Sequence, residues 1–181
     1  MEEEKYSVIK LNGEEYLRLA KIADEFVRKG KVEENPKIVI VSGGTGSGKT
    51  TIRKKDFDDG YVFIDAGAIY LKLTENETKK SDKDAGYCRI IGDMIITTAI
   101  EQKKNIVIEI IGDKIEQFDS IIPGMTKKGY KVENFFVAAG PVQAFDRHLK
   151  QQMVGGGDIS TYFTQDGTIQ IFADYFDKKG V

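Results

Sequence analysis

Residues Gly43-Gly44-Thr45-Gly46-Ser47-Gly48-Lys49-Thr50 crowd glycines, hydroxyls and one lysine into a single turn's length of chain. Glycines let a backbone curl until successive N–H groups point inward at an anion, and a helix N-terminus adds partial positive charge. A lysine closing such a run reaches β- and γ-phosphates, and the next hydroxyl ligands Mg²⁺. The pattern is a P-loop. It predicts ATP binding by Gly43, Gly44, Thr45, Gly46, Ser47, Gly48, Lys49, Thr50 and Thr51, with Lys49 catalytic at the phosphates and Thr50 on Mg²⁺. Ile38-Val39-Ile40-Val41 reads as a buried strand before it, and Thr50 to Lys55 as the opening of a helix after it. A chance glycine-rich turn would lack that context.

Carboxylates near the phosphates decide the chemistry. Asp65 ends the apolar run Tyr61-Val62-Phe63-Ile64, the first strand after the P-loop helix. There it can accept the proton of an acceptor hydroxyl, or cap the helix that follows, as Asp favours the N-cap. Glu109 lies in the strand Ile106-Val107-Ile108-Glu109-Ile110-Ile111. Burying it unpaired is costly, so it meets a structural Lys or Arg, or faces a polar site. Asp93 belongs to the stripe Arg89, Asp93, Thr97 and Glu101, whose spacing of four is that of a solvated helix face. No Asn-Lys-x-Asp segment of the guanine-recognition type occurs.

These residues need a scaffold of alternating strands and helices. Apolar periodicity predicts a helix from Glu14 to Arg28, ended by Gly30, and its longest helix from Gly86 to Gln102. Further helices are expected over Asp113 to Ile122, stopped by Pro123-Gly124, and over Val142 to Met153. Strands are expected at Val132 to Ala139 and Thr168 to Ala173, five in all. The fold class is therefore α/β, a three-layer P-loop NTPase fold with a mainly parallel five-stranded sheet and helices on both faces. Residues 1–181 read as a single domain, a helix over 13–30 leading into a nucleotide-binding core over 37–174. Ligands bind such sheets at the carboxyl ends of the strands, where Asp65 and Glu109 fall beside the P-loop.

Composition narrows the class. A chain of 181 residues with formal net charge −2 lacks the basic surplus of a dedicated nucleic-acid or anionic-membrane binder. One cysteine, Cys88, excludes an intramolecular disulfide and reads as a buried small hydrophobe. His148 is the only histidine, with no companion for a zinc site. The acidic start Met1-Glu2-Glu3-Glu4-Lys5 is unlike a signal peptide, and no apolar run is long enough to span a bilayer. The cytoplasm is the simplest location.

The chain resembles the zeta toxin family of P-loop kinases. The resemblance runs from Lys31-Val32-Glu33-Glu34-Asn35-Pro36 through the P-loop and the Ile64-Asp65 strand end. It continues through Asn105-Ile106-Val107-Ile108-Glu109 and the segment from Lys127-Lys128-Gly129-Tyr130-Lys131 to Val137-Ala138-Ala139 and Pro141. It implies an ATP- and Mg²⁺-dependent kinase that phosphorylates a small-molecule hydroxyl, such as that of UDP-N-acetylglucosamine, and a protein antitoxin as partner. It implies Asp65 as the base, Glu109 as a substrate- or metal-side carboxylate, and Asp93 as a substrate-side acid on the preceding helix. It also implies a lid arginine at the transferred phosphate, for which Arg147, the only arginine after residue 89, is the candidate. The lid is reduced, because Gly155-Gly156-Gly157 and the last expected element follow closely. After the strand-end Glu the family often carries Gly-Thr-Gly-Arg, where this chain has Ile110-Ile111-Gly112-Asp113. Two other readings use the same residues: a nucleoside, nucleotide or polynucleotide kinase, and a regulatory nucleotide-binding module that transfers nothing.

Overall fold

The computed structural model describes residues 10–74, 83–112, 115–119, 121–140, 142–143 and 166–180. Arg147, His148, the run Gly155-Gly156-Gly157 and nearly all of the helix expected from Val142 to Met153 lie outside the described residues.

Helix α1 (Gly13–Val27) starts at a capping box, in which the Glu15 N–H donates to Asn12 Oδ1 and the Asn12 N–H to Glu15 Oε2, each at 2.9 Å. Next come β1 (Lys37–Ser42), α2 (Lys49–Asp56), β2 (Val62–Phe63), α3 (Ala66–Leu73) and α4 (Asp84–Glu101). Then follow β3 (Ile106–Ile110), the short α5 (Glu116–Asp119), α6 (Ile121–Lys127), β4 (Lys131–Phe136) and a last helix, α7 (Asp166–Lys179). The four strands pair in parallel in the order β2-β3-β1-β4.

Side chains alternate across a strand, so the sheet sorts its residues by parity. Ile38, Ile40, Val62, Ile64, Ile106, Ile108 and Ile110 face the main core, together with apolar residues of α1, α3, α4, α6 and α7. Val39, Val41 and Val107 face the other way and pack with Phe57, Ile52 and Phe63 beneath α2. A parallel sheet buried on both sides in this way reads as unbroken Ile/Val runs, which is how β1 and β3 look in sequence.

Two expectations change. The segment Thr168 to Ala173, expected as a fifth strand, is helical. Its buried residues Thr168, Ile171, Phe172, Tyr175 and Phe176 recur at helical spacing, a period that a six-residue window cannot reveal. Pro123-Gly124 does not stop a helix. Both residues lie inside α6, with Pro123 as the third residue of that element as described, where a missing N–H costs little.

Helix α7 lies parallel to α4. Arg89 Nε donates to Asp174 Oδ2 at 3.0 Å and Lys178 Nζ to Asp93 Oδ2 at 3.1 Å, one turn further along both helices. The close approach needs Gly92, since a Cβ there would stand 2.5 Å from Ile171 Cδ1. Gly92→Val should therefore lower stability by roughly 1–3 kcal/mol through overpacking. The readout is a reduced urea midpoint at unchanged slope. Ile171→Ala in the same chain should restore part of the loss, whereas strictly additive effects would mean the two residues do not meet.

Candidate active site

The loop between β1 and α2 is pinned on both sides. The Gly43 N–H donates to Ile111 O at 3.0 Å and the Val137 N–H to Ser42 O at 2.7 Å, tying the P-loop to the ends of β3 and β4. Gly43 has φ +151°, and a Cβ on it would sit 2.3 Å from Val137 O, so no other residue fits there. Gly48, at φ 104°, is the N-cap of α2 and makes no side-chain cap bond, which leaves the helix N-terminus facing the loop. This geometry suits a phosphate group.

Lys49 Nζ curls over the loop and donates to Gly43 O at 2.6 Å and Gly44 O at 3.0 Å. Burial holds its ammonium below the usual lysine range, against the opposing pull of the Glu109 charge. An arriving phosphate would set an anion beside Nζ, whose hydrogen-bond partners among the described residues are these two carbonyls. Thr51 begins the hydrogen bonding of α2, its N–H donating to Gly48 O at 3.0 Å.

The strand register assembles the acids. Val41 pairs with Glu109, and Phe63 with Val107, so two residues past Phe63 the chain brings Asp65 level with Glu109. Both residues share the parity of Val41 and face the α2 side. Glu109 meets both partners that sequence reasoning offered as alternatives. Its Oε1 accepts from Arg53 Nε at 2.7 Å and its Oε2 from the Thr50 hydroxyl at 2.8 Å. Arg53, 6 % exposed, also donates from Nη1 to Asp58 Oδ1 at 2.8 Å and stacks 4.1 Å from the Phe63 ring centre. Sequence reasoning missed Arg53 and Asp58. The signal for Arg53 was available: it lies one turn after Thr50 on the P-loop helix, and Glu109 needed a cation.

Asp65 caps α3 by accepting from the Ala68 N–H at 2.7 Å. The neighbouring Ala66 N–H goes to the buried Thr168 hydroxyl of α7, at 3.0 Å. Burial pushes the Asp65 carboxyl up to about 6, with the Glu109 charge raising it further while the Ala68 N–H and Arg53 pull it down. The Gly67 N–H adds a weaker pull on the same carboxylate. The capping and site readings of Asp65 are thus compatible in one side chain. Asp93 is elsewhere, on the seam between α4 and α7, paired with Lys178. Cys88 is buried in α4, and desolvation raises its thiol to about 12.

For the cation, Thr50 and Glu109 form a hydroxyl–carboxylate pair next to the loop, an oxygen donor set of the kind Mg²⁺ takes together with substrate phosphates. Among the described residues no group of three His, Cys, Asp or Glu side chains could hold a metal, and no helix is long and apolar enough to cross a membrane.

Fold and loop together define a P-loop α/β domain with one carboxylate near the carboxyl end of β3, next to β1, and another just past β2, next to β3. Residues 23–155 match the family model for zeta toxin, and the chain belongs to the zeta toxin family, whose members are P-loop kinases. No relative among curated proteins matches it. Its fold is similar to that in the PezAT chromosomal toxin–antitoxin system of Streptococcus pneumoniae, with TM-score 0.59 at 18% identity over 94% of this chain and 75% of that one. It is also similar to the AvrRxo1-ORF1:AvrRxo1-ORF2 structure with sulphate ions (TM-score 0.56, 17% identity, 74% of this chain, 48% of that one). A third likeness is to the Pnkp1/Rnl/Hen1 RNA repair complex (TM-score 0.52, 16% identity, 82% and 46%). The chain spans about half the length of these last two, and at such identities the likeness concerns the fold.

The raised Asp65 carboxyl carries a stability cost with a defined pH window. Unfolded, it titrates near 3.8; folded, near 6. Between those values the native state holds a proton that the unfolded state does not, so stability falls as pH rises from about 4 to about 6 and the cost persists above. Asp65→Asn keeps an N-cap oxygen and removes the charge. It should stabilise the protein at pH 7 by roughly 1–3 kcal/mol and change it little at pH 4. Thermal melts at the two pH values check this; equal gains at both would place the cause outside Asp65 ionisation.

Proposed function

We propose that the protein is an ATP-dependent phosphotransferase acting on a hydroxyl of a small molecule. The observation that carries this reading is the meeting, at one sheet edge, of the P-loop Lys49, the Thr50–Glu109 pair and a half-buried Asp65 carboxyl poised near pH 6. In this reading the loop amides and Lys49 bind the triphosphate and offset its charge. Mg²⁺, held through Thr50 with Glu109 behind it, would neutralise charge on the phosphates. Asp65 orients the acceptor hydroxyl and takes its proton as the acceptor oxygen bonds to the γ-phosphorus and the bond to the ADP oxygen breaks.

Asp93, which pairs with Lys178 on the α4–α7 seam, is proposed as a substrate-side acid on the family resemblance alone. Arg147 is proposed as the lid arginine on the family resemblance alone. Sugar nucleotides such as UDP-N-acetylglucosamine are the acceptor class implied by that resemblance. A protein antitoxin is proposed as partner on the same ground and on the likeness to a chain of a toxin–antitoxin system.

Incubation with ATP, Mg²⁺ and a panel of sugar nucleotides, nucleosides and oligonucleotides, read by mass spectrometry, should give one acceptor heavier by one phosphate. With that acceptor, transfer should fall as pH drops through about 6, where Asp65 gains its proton. Asp65→Asn should retain ATP affinity and lose roughly 10²–10⁴-fold in turnover. Undiminished turnover would remove Asp65 from the mechanism. Tight nucleotide binding with no product from any acceptor would favour the regulatory module.

A further inference from the structure

Thr50 presents one hydroxyl proton and two lone pairs. Where that proton points decides whether the oxygen can serve a cation. It goes to Glu109 Oε2 at 2.8 Å, which turns the lone pairs away from Glu109 and leaves them to accept. Glu109 can hold that proton in place only if its own carboxylate is fixed. β3 fixes its backbone, and Arg53 fixes the other oxygen, through Nε at 2.7 Å.

Arg53 is itself immobilised on three sides. Its Nη1 is held by Asp58, its face lies on the Phe63 ring, and its stem is built into α2 one turn after Thr50. The result is a relay of orientation, Asp58 to Arg53 to Glu109 to Thr50. A guanidinium fork can serve Glu109 and Asp58 from two separate edges while stacking on a ring, which a lysine ammonium, a point donor on a flexible stem, cannot reproduce.

We propose that Arg53 is a positioning residue for the divalent-cation half of the site: by locking Glu109 it presents the Thr50 oxygen to the metal of a metal–nucleotide complex. Its effect is on cation-dependent binding, separate from the grip of the loop amides and Lys49 on the phosphates. The inference rests on the P-loop reading above and needs no acceptor to be tested.

The test is the affinity of a non-hydrolysable ATP analogue, measured by calorimetry with Mg²⁺ and with EDTA, for the wild-type chain, Arg53→Met, Arg53→Lys and Asp58→Asn. Loss of a partner that orients a metal ligand typically weakens metal affinity roughly 10–100-fold. Arg53→Met should therefore lose most of the tightening that Mg²⁺ gives the wild type while its affinity in EDTA stays within about twofold, a split that general damage would not produce. Arg53→Lys and Asp58→Asn should fall in between, and they carry the comparison if Arg53→Met does not fold. Full Mg²⁺ tightening in the variants that fold, or equal losses with and without Mg²⁺, would overturn the assignment. So would a wild-type chain that binds no nucleotide, which also ends the kinase reading. A wild type that binds Mg²⁺–nucleotide but phosphorylates nothing ends the kinase reading alone, and the Arg53 comparison is still decided.

Discussion

The parallel register of β1, β3 and β2 governs this molecule. It sets Val41, Glu109 and Asp65 at one level across the sheet, just below the loop that starts at Gly43. Parity then puts both carboxylates on the face covered by α2, while their neighbours Ile108, Ile110 and Ile64 enter the main core. A slip of one residue in either pairing would exchange these sets. Carboxylates would enter an apolar interior with no cation available, at a cost that no gain elsewhere in a domain of this size offsets.

With the register in place, the α2 face concentrates charge under partial burial, and its balance is uneven. Glu109 is satisfied by Arg53 and Thr50, and Arg53 by Glu109, Asp58 and the Phe63 ring. Asp65 and Lys49 are left in environments that disfavour their charged forms. A network with some members joined in ion pairs and others held in their charged forms at a cost suits pre-organised binding, since a ligand's charge would offset that cost. The same imbalance works against stability, as expected where activity and stability compete.

The far side of the sheet supports this arrangement from a distance. Helix α7 runs beside α4, fills the core with Phe172 and Phe176, and delivers the Thr168 hydroxyl to the first amide of α3. Thr168 and Asp65 thus share the orphan donors at one helix start, where Asp65 alone would have to serve several. The C-terminal segment therefore helps determine where the Asp65 carboxyl lies.

Contiguous residues carried most of what could be read in advance. Eight adjacent residues specify the P-loop because backbone conformation, glycine tolerance and helix start are all local properties. The Ile/Val runs marked β1 and β3, the run Tyr61-Val62-Phe63-Ile64 marked β2, and the strand-end positions of Glu109 and Asp65 followed from these runs. What the sequence left open was settled by partners far along the chain. Glu109 takes Arg53 from 56 residues away and Asp93 takes Lys178 from 85. The last segment became a helix because its buried face closes on α4 and α6, a choice hidden in a window of six residues where alternation and helical spacing coincide. Periodicity and glycine patterns are written in one dimension. The pairing of charges is a matter of distance in three, and only the packed chain brings Arg53, Glu109 and Thr50 into line.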